Sequence, residues 1–155
     1  MGPPGHFAIA FAAKPATPKA PLWVLLVATE VLDLLAFAFM TIGIEHGAPD
    51  PSFAWSHGLF MSGIWSIACG GITFLFYQDR KTSIVIGLLV FSHWILDFIA
   101  HTRDLPLFFN GSPKVGLGLE SSVPVGVVME FSMLAAGIAI YLFDRKKNQG
   151  KVRTN

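Results

Sequence analysis

Four stretches of this chain are each long and apolar enough to cross a bilayer, and none contains a Lys or Arg. They run over 22–44 ("LWVLLVATEVLDLLAFAFMTIGI"), 55–77 ("WSHGLFMSGIWSIACGGITFLFY"), 82–101 and 120–143 ("ESSVPVGVVMEFSMLAAGIAIYLF"). A helix of about 20 apolar residues matches the hydrocarbon core, and only helices or closed barrels satisfy their backbone there. Hydrophobic residues make up 53% of the 155, and charged residues only 14%, clustered between the runs. The expected fold is therefore all-α: a polytopic membrane protein with four transmembrane helices in a single domain over 1–145. The polar segment 146–155 reads as a frayed tail.

"GHFAIAFAAK" near the start is too short to span and reads as an interfacial or re-entrant helix, broken from the first span by "KPATPKAP". It lacks the basic n-region of a signal peptide, so the expectation is that it stays on the mature chain. The connection "EHGAPDPSFA" (45–54) is rich in turn formers, and "TRDLPLFFNGSPKVGLGL" (102–119) is a longer punctuated loop. Lys14, Lys19, Arg80, Lys81, Arg145, Lys146, Lys147, Lys151 and Arg153 fall on one side of the four-span arrangement, against Arg103 and Lys114 on the other. The bias of Lys and Arg toward the cytoplasm places both termini inside. No basic stripe outside the tail invites nucleic acid. The single cysteine, Cys69, excludes an intramolecular disulfide and a cysteine-based zinc site. Gly63, Gly70 and Gly71 read as close-packing positions on the second span.

Polar residues inside the spans carry the functional signal. They are Glu30, Asp33, His57, His93, Asp97, His101, Glu120 and Glu130. An ionised side chain at mid-bilayer costs at least ~2.5 kcal/mol, so these acids must stay protonated or gather round a cation. His93, Asp97 and His101 in "FSHWILDFIAHTRDLP" drift only about 80° around a helix and share one face, with the outer two about 12 Å apart along the axis. Zinc bonds are about 2 Å long, so one ion takes either the 93/97 or the 97/101 pair, unless there are two ions. Asp33, His57, His93, Asp97 and His101 are the candidate ligands of a zinc-like divalent metal. Glu30 and Glu130 are the candidate general bases.

Structural readings stand beside these. His57 alone suits a helix–helix hydrogen bond, Glu120 and His101 lie near the interface, and Glu130 suits a protonated carboxyl. His6 and His46 read as lone solvated histidines.

The order of "GHFAIAFAAK", "WSHGLF", "SHWILDFIAHTRDLPL" and "GLGLESS" resembles small bacterial inner-membrane proteins, the membrane-bound metal-dependent hydrolases related to LexA-binding inner-membrane hydrolases. The resemblance covers roughly residues 5 to 140. It implies a multi-pass inner-membrane location, and it points to His57, His93, Asp97, His101 and Asp33 as site residues. The chain departs from the family pattern twice: "EVLDLL" replaces a Pro-Asp pair, and Glu120 stands where Trp follows "GLGL".

The leading expectation is a metal-dependent hydrolase working on a lipid-linked or amphipathic substrate in the outer half of the bilayer. With no G-x-S-x-G, a serine nucleophile is disfavoured. An accessory subunit of a respiratory or photosynthetic complex, ligating haem or chlorophyll through histidine, is the alternative. A proton or cation carrier is the third reading. Expected partners are membrane lipids, with a homo-oligomer or a larger membrane complex beyond them.

Overall fold

A computed structural model describes residues 1–47, 53–109, 111–120 and 122–153, with side chains in the last helix described as far as 149. Residues 48–52 of the expected 45–54 loop, and the Lys151 and Arg153 side chains counted above, lie outside this set. The described residues form an all-helical protein whose chain order is α1 (Pro3–Ala13), a 3-10 turn (Lys14–Ala16), α2 (Leu22–Thr29), α3 (Val31–Thr41), α4 (Leu59–Tyr77), α5 (Arg80–Ala100), β1 (Leu105–Pro106), β2 (Lys114–Val115) and α6 (Val123–Arg153).

Three helices, α4, α5 and α6, are long and apolar enough to cross a membrane. The first expected span is not one helix. α2 and α3 meet at 54°, so together they form a broken span or a re-entrant pair. The break falls at Glu30 (φ −105°, ψ 4°), where Glu30 N–H turns back to Val27 O at 3.0 Å. No Pro or Gly marks it. The Thr29 carbonyl leaves the helical ladder and serves a side chain of α5 instead, one recognised cause of a sharp kink.

α5 is the centre of the bundle. Its most apolar window is 56% buried, against 17% in α4 and 6% in α6. It starts cleanly because Asp79 caps it, accepting from Thr82 N–H at 2.9 Å and from the Thr82 hydroxyl at 2.6 Å. Just before it Gln78 closes α4 in the left-handed region (φ 49°). α4 and α5 pack through glycine: a Cβ on Gly70 would stand 3.1 Å from Ser83 O, and one on Gly87 3.0 Å from Ser66 O. Gly63 and Gly71, expected as close-packing positions, instead face open space. Leu25, Leu32, Ile86, Leu89, Val90 and Trp94 form the apolar core between α2, α3 and α5. The outward faces carry large apolar side chains such as Ile67, Phe76 and Val123, as lipid-facing surfaces do.

α1 is about 16 Å long, too short to span, yet it is not a surface element. It packs against α6, α2 and α5, and buries Gly5, His6, Ala8 and Ala10. α6 reaches it closely at Gly137, where an added Cβ would collide with Ala8 O. α6 itself starts at Val123 and runs through the basic segment where the sequence reads as a frayed tail.

The 102–119 connection is an ordered cap. β1 and β2 pair antiparallel, with Leu105 opposite Val115 and Pro106 opposite Lys114. The chain then lies across the end of α5. Leu117, Gly118, Leu119 and Glu120 donate backbone N–H groups to the carbonyls of Phe98, His101, Ile99 and Ala100, at 2.7–3.1 Å. Carbonyls that a helix end leaves unpaired are thereby satisfied. Gly118 has φ +70°, and a Cβ on Gly116 would collide with Thr102 O. Both glycines of "GLGL" are thus required by the backbone path.

Candidate metal centre

The site is built on the half of α5 farthest from the basic Gln78–Lys81 turn. His93 and Asp97 occupy its buried face, 1% and 3% exposed. α3 brings Asp33. His57 comes from the turn just before α4 rather than from the helix, since Gly58 is the N-cap. His101 is the C-cap of α5 and is half-exposed.

Each ring is fixed by what its Nδ1 meets. His93 Nδ1 lies 2.6 Å from the Thr29 carbonyl. A carbonyl only accepts, so Nδ1 carries the proton, and the Nε2 of the neutral ring presents a lone pair. The break at Glu30 is what freed that carbonyl. His57 is held by a relay. Ser56 Oγ donates to Glu45 Oε2 at 2.7 Å, so it accepts from His57 Nδ1–H at 2.8 Å. Glu45, 2% exposed, is itself anchored by the backbone N–H groups of Trp55 and Ser56, both at 2.8 Å. The His57 Nε2 lone pair then also faces inward.

The inward atoms converge. His57 Nε2 and His93 Nε2 are 3.2 Å apart. Asp33 Oδ1 lies 3.2 Å from the first and 3.5 Å from the second. Asp97 Oδ2 lies 3.6 Å from His57 Nε2 and 3.2 Å from His93 Nε2. Asp33 Oδ1 and Asp97 Oδ2 thus each lie within 3.2–3.6 Å of both Nε2 atoms, and no N–H or O–H of these four groups is aimed at that space. Donors bound tetrahedrally at about 2.0–2.1 Å stand roughly 3.3–3.4 Å from one another, which is the spacing seen. A backbone carbonyl behind one histidine and a hydroxyl–carboxylate relay behind the other are how ligating histidines are oriented. Asp33, His57 and His93 are positioned to hold a metal ion, with Asp97 beside the same two nitrogens.

A cavity of about 430 Å³ opens beside this group. Asp33, His57, Asp97, His101 and Asp104 supply its polar wall, and Ala36, Phe37, Met40 and Phe53 its apolar one. Phe37 and Met40 are also exposed on the outer face of α3, at 71% and 45%.

The sequence reading divides here. Asp33, His57, His93 and Asp97 come together. His101 Nε2 reaches the other oxygen of Asp97, Oδ1, at 3.7 Å. Glu30 Oε1 sits 3.7 Å from His6 Nδ1, away from the cavity lining. Glu130 accepts the Gly2 N–H and likewise lies outside the lining. His6, expected in solvent, is fully buried, with its ring 3.8 Å from that of His93. Glu45 and Ser56 were not singled out by sequence reasoning, and only "WSH" flanking His57 hinted at an orienting hydroxyl. No protein-family model, curated protein or solved structure matches the chain.

Proposed function

We propose that this protein is a membrane-embedded, metal-dependent hydrolase of amphipathic, lipid-linked substrates. The observation that carries the reading is the group Asp33, His57 and His93, with Asp97 beside its two nitrogens, at the wall of a cavity that is polar inside and apolar toward α3. A zinc-like divalent ion there supplies Lewis acidity, polarising a phosphoryl or acyl oxygen and making water acidic near neutral pH. Asp33, His57, His93 and Asp97 hold it, and two carboxylates match the charge of a divalent cation. Such a match removes the need for the basic partner that the spans lack.

The chain's own residues account for the rest. Phe37 and Met40 offer an apolar path from the lipid-facing side of α3 into the cavity, which has the volume of a headgroup and not of a whole lipid. Asp104, at the mouth and 3.4 Å from His101 Nδ1, is placed to exchange protons with bound substrate. Glu30 and Glu130, the carboxylates that sequence suggested as bases, are not among the residues lining the cavity, although Glu30 groups with His6 and His93 behind it. Haem or chlorophyll is disfavoured by the same geometry, because the two Nε2 atoms 3.2 Å apart leave no room for a macrocycle between them. The Lys and Arg asymmetry supports a reading in which the cavity opens on the outer side of a bacterial inner membrane.

The test is elemental analysis of the detergent-purified protein beside Asp97→Ala, followed by a screen of lipid phosphates and esters. Near-stoichiometric metal that falls in the variant, with hydrolysis that falls in parallel, is the expected result. Absence of metal from both samples, or a pigment band in the visible spectrum, would move the assignment to an accessory subunit of a larger complex.

A further inference from the structure

We infer that Asp97 bridges two cations, and that His6 and His101 complete a second site on its far oxygen. The inference rests on the metal-centre reading above and extends it to a two-ion centre.

The four buried or half-buried histidines share one arrangement. Each turns Nε2 toward Asp97 and Nδ1 toward an outer acceptor. His57 and His93 address Oδ2, at 3.6 and 3.2 Å. His6 and His101 address Oδ1, at 3.4 and 3.7 Å. Behind them, Nδ1 faces Ser56 Oγ in His57, the Thr29 carbonyl in His93, Glu30 Oε1 at 3.7 Å in His6 and Asp104 Oδ2 at 3.4 Å in His101. A carboxylate with two imidazole nitrogens facing each oxygen has the donor set of a bridged dinuclear site.

His6 supplies the independent observation. It is 0% exposed, and neither ring nitrogen has a hydrogen-bond partner. Buried polar atoms left without partners are unfavourable and rare. His6 is held there by the packing of α1 against α6, α2 and α5. Glu30 Oε1 and Glu120 Oε1 are likewise buried without partners. The acceptors gathered on this side of Asp97 call for positive charge. The Met1 amino group, 2.8 Å from Asp97 Oδ1 and 3.9 Å from Glu120 Oε2, already lies in this region. The ligand that fits an imidazole pair and a carboxylate oxygen is a divalent cation of the zinc or manganese type.

Metal counting tests this without relying on turnover. The full chain in detergent is loaded with Zn2+, dialysed and counted, alongside His6→Gln, His101→Ala and Asp33→Ala, with melting curves to confirm folding. Two zinc equivalents are expected in the wild type, one in His6→Gln and in His101→Ala, and one in Asp33→Ala. The wild type loaded with Mn2+, which needs no variant to fold, is expected to give the exchange-coupled paramagnetic spectrum of a close ion pair. One equivalent, an uncoupled manganese spectrum and full retention of that ion in His6→Gln would assign the Oδ1 side to the Met1 ammonium and overturn the second site while leaving the first. Zero equivalents in the wild type would remove both.

Discussion

Ser56→Ala cuts one link in the relay that orients His57 and leaves the others in place. Glu45 stays anchored, because two backbone N–H groups hold its Oε1 independently of the serine hydroxyl. What is lost is the acceptor of the His57 Nδ1 proton, at 2.8 Å and in a residue only 7% exposed. A buried donor left unsatisfied costs about 1–3 kcal/mol. Loss of an orienting partner behind a ligating histidine weakens metal binding roughly 10–100-fold, or about 1.4–2.8 kcal/mol. Both estimates describe the same event, a ring no longer held with its lone pair inward. The assay is a competition titration of Zn2+ against a chromophoric chelator in detergent, with Ser92→Ala as the control. Ser92 Oγ donates only into its own helix, to Leu89 O at 2.7 Å, so its removal should leave affinity unchanged. An affinity within twofold of wild type for Ser56→Ala would refute the reasoning, since His57 would then be held by packing alone or would not be a ligand.

The remaining predictions concern the scaffold. Gly70→Val should destabilise the α4–α5 contact by about 1–3 kcal/mol, the usual range for overpacking, while Gly71→Ala, facing open space, should leave unfolding in mixed micelles unchanged. Gly118→Ala, at φ +70°, should cost about 1 kcal/mol, and Gly116→Ala more, because its Cβ collides with Thr102 O. Both should loosen the cap over the end of α5, read as faster amide exchange in 117–120. Asp79, at the turn outside the spans, is held below the usual carboxylate range by Lys19 at 2.9 Å and by its two bonds from Thr82. A depressed acid stabilises the fold above its unfolded pKa of about 3.9 and loses that contribution as pH falls through the folded value. The melting temperature of Asp79→Asn should therefore depend less on pH below about 4 than that of the wild type.

What the sequence made legible follows from period and length. The spans over 55–77 and 82–101 match α4 and α5 within a few residues, because long apolar runs bounded by turn residues leave little choice. The His93–Asp97 pair was legible for the same reason, since four residues fix a shared helix face. The break at Glu30 carried no local signal. What accompanies it is tertiary: the Thr29 carbonyl lies 2.6 Å from His93 Nδ1 on α5, a contact that local sequence does not reveal. Of the two readings of the segment around α1, burial in the bundle excludes a surface helix and leaves the re-entrant one, and His6, read as solvated, is buried with it. Glu45 was invisible because its partner Ser56 lies eleven residues away across a turn.

The break at Glu30 and the burial of α1 answer the same electrostatic demand. His93 needs an acceptor behind it to present Nε2 as a lone pair, and the Thr29 carbonyl at the break is that acceptor. Breaking the first span frees a carbonyl at the depth of His93, and the same break sets Glu30 behind His6. α1 can then enter a bundle that would otherwise close over the acids of α5. The spans supply carboxylates without a single Lys or Arg to match them, so their ionised forms are tolerable only if a cation stands among them. The distortions of the fold are therefore where the charge is. Restoring an ideal helix through residues 29–31 should move the Thr29 carbonyl and weaken zinc binding roughly 10–100-fold in the same chelator competition, even with every ligand retained.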